Sequence, residues 1–117
     1  MTVDTTTENG VTIVTLQGRL DAPAVPEAER GFLDAVEAGA HNVLVDLAGV
    51  EYISSGGVRV IVVLAKALEK VDGNMKLCNL NPFVSEVFKI TNLASRYDIR
   101  SDRMAGLAAF AAESEVE

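Results

Sequence analysis

The chain predicts an α/β domain, a mixed sheet of four to five strands with about four helices. Three observations carry this reading. Short β-branched runs alternate with longer segments of helical periodicity, and a hairpin turn joins the first two runs whereas helical segments join the later ones. The 117 residues are 49% apolar and 23% charged, enough to bury one core and too few for a second domain.

Val3 to Thr7 is the first strand, and Glu8-Asn9-Gly10 supplies the left-handed positions of a hairpin turn before a second strand, Val11 to Gln17. Gly18-Arg-Leu-Asp21-Ala-Pro-Ala-Val-Pro26 is a loop with two prolines. Asp21 is placed to cap a helix over Ala24 to Ala38 whose buried face would be Val25, Ala28, Phe32, Leu33 and Val36. Gly39 ends that helix in a left-handed conformation, and Asn42 to Leu47 follows as a strand.

After the strand comes Ser54-Ser55-Gly56-Gly57, then a helix over Val58 to Val71. Its apolar residues wrap more than one face, as in a central helix, and Asp72-Gly73-Asn74 ends it. Met75 to Leu80 is a further strand. Pro82 opens a short helix with Phe83, Val87, Phe88 and Ile90 on its apolar side, and Thr91-Asn92 breaks the pattern. Arg96 to Arg100 reads as a short edge strand. Ser101 or Asp102 caps a last helix carrying Met104, Leu107, Ala108 and Ala111, so that the domain spans residues 1–112 and Glu113 to Glu117 form an acidic, frayed tail.

Composition removes several classes of function. A formal charge of -7 disfavours nucleic acid and anionic lipid, both of which call for lysine and arginine. No apolar run has the length of a membrane span, and Met1-Thr-Val-Asp lacks the basic and apolar character of a signal sequence, so a cytoplasmic location is expected. The single cysteine, Cys78, lies in an apolar segment and is expected to be buried. The single histidine, His41, sits in a turn, away from any candidate nucleophile. One histidine and one cysteine make no metal set, Gly-x-Ser-x-Gly is absent around Ser55, and neither phosphate-binding glycine motif of nucleotide enzymes occurs. Neither an enzyme nor a bound cofactor or metal is expected. Asp4, Asp21, Asp46 and Asp98 could meet only through tertiary folding and read as caps or solvated groups.

The serine loop remains. It joins the end of a strand to the start of a helix, where the first amides lack intrahelical partners and carry the positive end of the helix dipole. Such a place suits a serine cap and also an added phosphate. On local chemistry alone Ser55 is either an N-cap with Gly56-Gly57 as a tight turn, or a hydroxyl poised for modification. Right-handed crossovers put this loop beyond the carboxyl ends of parallel strands, where function collects in α/β sheets.

Gly18-Arg-Leu-Asp21, Val45-Asp-Leu47, Tyr52-Ile-Ser-Ser-Gly-Gly-Val-Arg59 and Leu77-Cys-Asn-Leu-Asn-Pro82, in this order, closely resemble the STAS domain of bacterial anti-sigma factor antagonists, over essentially the whole chain. The resemblance implies partner switching. The unmodified antagonist binds an anti-sigma factor that is also a serine kinase and so frees a sigma factor; phosphorylation ends the binding, and a PP2C-type phosphatase restores it. The family's phosphoacceptor falls on Ser55, with Ser54 as the alternative. Asp21, Ser54, Ser55, Gly56, Gly57 and Arg59 would form the partner-binding surface, Arg59 reading equally as a solvated helix residue. Many members carry aspartate where this chain has Ser54, and serine or alanine where it has Gly56. Two other roles are compatible with the same domain: a STAS module in another signalling or transport complex, and a regulatory domain binding a nucleotide or small ligand at the serine loop.

Overall fold

A computed structural model describes residues 1–116, with side chains through Glu113. Strand β1 (Thr2–Glu8) turns through Asn9 and Gly10, at φ 53° and 78°, into antiparallel β2 (Val11–Gln17). A short 3-10 turn, Ala22–Ala24, leads into α1 (Val25–Glu37). There follow β3 (Asn42–Gly49), α2 (Ser55–Glu69), β4 (Asn74–Cys78), α3 (Pro82–Ile90), β5 (Asp98–Arg100) and α4 (Arg103–Val116). The sheet runs β1-β2-β3-β4-β5, and every pair after the first is parallel. The expected mixed α/β sheet is therefore observed, with five strands and four α-helices.

Sequential order and right-handed crossovers place α1, α2 and α3 on one face of the sheet, while α4, which follows the last strand, covers the other. The alternation of the strands records both faces. Val14, Leu16, Val43, Val45, Leu47, Met75 and Leu77 pack with Phe32, Ile61, Leu64, Leu68 and Phe88 in the main core. Val11, Ile13, Leu44 and Cys78 pack under Phe110 of α4. A strand covered on both sides reads as a continuous apolar run, which is why Val43 to Val45 shows no alternation.

Helix faces differ from the periodicity in a consistent way. In α1 the buried residues are Ala28, Phe32 and Ala35, whereas Leu33 is 37% exposed and Val25 and Val36 are half-buried. In α3 Val84 and Phe88 are buried, and Phe83 and Ile90 face outward. In α4 Gly106, Ala109 and Phe110 face the sheet, and Met104 is 80% exposed. Close approach selects small residues in α4: a Cβ on Gly106 would stand 2.6 Å from Leu44 Cδ1. A reading by residue size turns such a helix the wrong way.

Boundaries shift as well. Helix α2 starts at Ser55, three residues earlier than its apolar stripe suggested; β4 ends at Cys78, and β5 has only three residues. Asp102, and not Ser101, caps α4 by accepting from Ala105 N at 2.8 Å. The acidic segment expected as a tail begins inside α4, where Glu113 reaches back to the sheet; Glu117 lies outside the described residues.

Candidate functional site at the carboxyl ends of the parallel strands

Beyond the ends of β2 and β3 the chain continues the parallel pairing in miniature. Gly18 N donates to Gly49 O at 3.0 Å, Leu20 N to Tyr52 O at 2.9 Å, and Ser54 N to Leu20 O at 3.0 Å. Leu20 and Ile53 form a parallel bridge. Two loops far apart in sequence are thereby fixed to each other just where α2 begins.

Ser54 occupies the N-cap of α2 in an extended conformation, φ -100° and ψ 175°, and its Oγ accepts from Gly57 N at 3.3 Å. The same Oγ lies 3.5 Å from Leu20 O. Ser54 is half-buried, and Ser55, the first helical residue, is exposed. The capping role expected for Ser55 thus belongs to Ser54. The two hydroxyls are divided: one satisfies an orphan amide and the other faces solvent beside the positive end of the helix.

Gly56 and Gly57 form the first turn of α2, so the tight turn expected there is a correction of the same kind. Gly57 is glycine for a steric reason. A Cβ there would run into the carbonyl oxygen of Leu20 and stand 2.8 Å from Ile53 Cγ1. At Gly56 the nearest atom to such a Cβ is Val25 Cγ2, at 3.4 Å, an ordinary contact.

Asp21 does not cap. It makes no side-chain bond to the turn that follows it and instead accepts from Arg19 Nε at 3.3 Å. The Arg19 guanidinium lies over the Tyr52 ring, 4.3 Å from its centroid, and Tyr52 stacks on Phe83 at 5.5 Å with 19° between planes. Asn81 closes the third side: its Oδ1 caps α3 by accepting from Val84 N at 2.8 Å, and its Nδ2 donates to Val50 O and Glu51 O at 3.2 Å each. Arg59 is exposed one turn into α2 and has no salt bridge among the described residues.

Of the site residues predicted from sequence, Asp21, Ser54, Ser55, Gly56 and Arg59 are exposed or half-buried around the start of α2, whereas Gly57, expected on the same surface, is buried because the Leu20 carbonyl and Ile53 pack against it. Arg19, Tyr52, Phe83 and Asn81 join this surface without having been predicted. Arg19 and Tyr52 stand inside the quoted motifs, and Phe83 and Asn81 stand in or next to one, so position offered the signal; the stacking that unites them is tertiary. The remaining candidates lie elsewhere. His41 is exposed, with Nδ1 3.0 Å from Gly39 O. Cys78 is buried on the α4 side of the sheet, and burial, helped by Asp46, pushes its thiol up to about 12, which leaves no reactive thiolate at neutral pH. Asp46 is buried in a network described below. Among the described residues no group of three or more His, Cys, Asp or Glu is placed to hold a metal, and no helix is long and apolar enough to cross a membrane.

Comparison with known proteins defines the class. The family model described as STAS domain matches residues 2–103. BtrV of Bordetella bronchiseptica, which bears the name of an anti-sigma factor antagonist, is 37% identical over 102 residues, covering 87% of this chain and 88% of its own. The anti-sigma-B factor antagonist of Staphylococcus epidermidis is 32% identical over 93 residues, covering 80% and 86%. Among solved structures, an anti-sigma-factor antagonist (STAS) domain protein from Planctomyces limnophilus superposes with a TM-score of 0.85 at 27% identity, over 93% of this chain and 97% of that one. The chain belongs to the STAS domain family, among the bacterial anti-sigma factor antagonists.

Proposed function

We propose that this protein is a partner-switching anti-sigma factor antagonist whose unmodified form binds an anti-sigma factor serine kinase in the cytoplasm and whose binding ends when Ser55 is phosphorylated. The division of labour between the two serines carries the reading. Ser54 is committed to the cap, and Ser55 is exposed on a surface built from three loops. A phosphate on Ser55 adds about -1.5 to -2 charges. The free domain tolerates that charge because the first amides of α2 point toward it. A partner packed over the loop must instead desolvate it, and a penalty of ~3 kcal/mol weakens binding about a hundredfold. The switch is a local electrostatic event on an unchanged fold. A PP2C-type phosphatase reverses it, and the domain itself performs no catalysis.

The surface offered to the kinase is Asp21, Ser54, Ser55, Gly56 and Arg59, with the Arg19-Tyr52-Phe83 stack beside them and Gly57 buried beneath. Co-purification from the source cell, followed by intact-mass and phosphosite mapping, tests this reading. Ser55→Ala is expected to keep the partner and lose the phosphate, and Ser55→Asp to lose the partner. Phosphate found on Ser54 alone, or a Ser55→Asp chain that binds as well as the parent, overturns it.

A further inference from the structure

Helix α2 is packed on nearly every side. Over its length only Ser55, Arg59, Lys66 and Glu69 are exposed, and their spacing at i, i+4, i+11 and i+14 sets all of them on one narrow stripe. The stripe opens with a hydroxyl and continues with two cations before its first acid. Neither Arg59 nor Lys66 has a salt bridge among the described residues, in a chain with 17 acidic side chains against 10 basic ones.

We propose that Arg59 holds the phosphate of Ser55 within the same chain, from one helical turn further along α2. This assignment rests on the reading of Ser55 as the phosphoacceptor and adds the group that receives the modified side chain. Side chains of an α-helix lean toward its N-terminus, which directs Arg59 back over the turn that Ser55 begins. No side chain stands between them on that face, because Gly56 and Gly57 have none and Val58 is buried. An anion four residues ahead of a cation is the favourable order on a helix. A guanidinium, moreover, matches phosphate oxygens with two parallel N–H donors.

The neighbouring charges leave Arg59 as the phosphate's partner. At 1.5 Å per residue Lys66 lies about 16 Å along the helix from Ser55, against about 6 Å for Arg59, and physiological salt screens exposed charges beyond about 8 Å. Arg19 is committed to Asp21 and to the Tyr52 ring, and the same contact occupies Asp21, the acid of the adjoining loop. On the side of α1, Gly56 faces Ala22 and Val25, which carry no charge. Arg59 therefore serves both states of the switch. It is free for the partner in the unmodified chain and withdrawn by the phosphate in the modified one, so release combines an added anion with a subtracted cation.

Phosphorus NMR of the full chain, with phosphoserine inserted at position 55 during synthesis, tests this without a kinase. The second ionisation of the phosphate, near pH 6 in ordinary phosphoserine, is expected about one pH unit lower here. Arg59→Gln should bring it back up by about half a unit or more with unchanged circular dichroism, and Arg59→Lys, which keeps the charge but not the fork, should bring it up by less. Lys66→Gln, on the same stripe, should leave it in place. The Arg59 Nε–H resonance should move downfield in the modified chain only. A titration that Arg59→Gln leaves unmoved, or that Lys66→Gln moves as far, overturns the proposal. The two readings fail separately: phosphate mapped to Ser54 in cells overturns the role of Ser55, whereas the titration reports on Arg59 alone.

Discussion

Gly56 and Gly57 are adjacent and have opposite tolerances. Gly57→Ala forces a methyl group against the Leu20 carbonyl and should cost about 1–3 kcal/mol in urea unfolding, the usual range for overpacking. Gly56→Ala adds a methyl group at ordinary contact distance inside a helix and should stabilise by about 0.4–1 kcal/mol, because the unfolded chain loses freedom. The two serines part in the same assay. Ser54→Ala removes the cap and should cost about 1 kcal/mol, whereas Ser55→Ala changes an exposed hydroxyl and should stay within about 0.5 kcal/mol of the parent. A large loss at Ser55 and none at Ser54 would reverse the assignment of cap and exposed hydroxyl.

Among the elements, α4 is held to its face of the sheet by an ionic contact at each end. At its start Arg103 Nη2 bonds Asp46 Oδ2 at 2.9 Å and Thr15 Oγ1 at 3.0 Å, while Asp46 Oδ1 accepts from Asn79 Nδ2 and Ala48 N, each at 3.0 Å. Toward its end the buried Lys76 Nζ bonds Asp98 at 2.8 Å and Glu113 at 2.6 Å, 4.9 Å from the centroid of the Phe110 ring. Arg103→Ala strands a carboxylate that is 4% exposed, and the expected loss is about 3 kcal/mol, with faster hydrogen exchange in α4 than in α1. Undiminished stability would mean that Asn79 and Ala48 suffice for Asp46. Neither contact was legible in the sequence, since Asp46 reads there as a cap or a solvated group and nothing in the strand pattern singles out Lys76. The hairpin and the ends of α1 and α2 were legible, because Asn9, Gly10, Gly39 and Asp72 take the left-handed backbone their residue types predict. The location of the serine loop was equally legible. Which serine caps was not, since that follows from the extended backbone of Ser54, held by a carbonyl 34 positions away.

For the whole molecule, Asp98 in these contacts and Cys78 in the core each make stability depend on pH. Hydrogen bonds from Arg100, then from Lys76, hold Asp98 at about 2, below its ordinary 3.8. Its contribution is therefore complete above pH 3.8 and is lost as pH falls toward 2. The Cys78 thiol runs the other way, raised by burial from 9.0 to about 12, so its contribution is complete below pH 9 and fades as pH climbs toward 12. Thermal unfolding against pH should show both limbs; Asp98→Asn should flatten the acid one and Cys78→Ala the alkaline one. If neither variant changes the profile, other groups set the limits. The same long-range geometry bears on how the chain matures. The bridge from Leu20 to Ile53 closes only after β2 and β3 have found each other, a slow, non-local pairing, and the surface around Ser55 has no local substitute for it. A nascent or misfolded chain carries the serines without the surface, so a partner that reads both loops at once responds to finished molecules and ignores the rest.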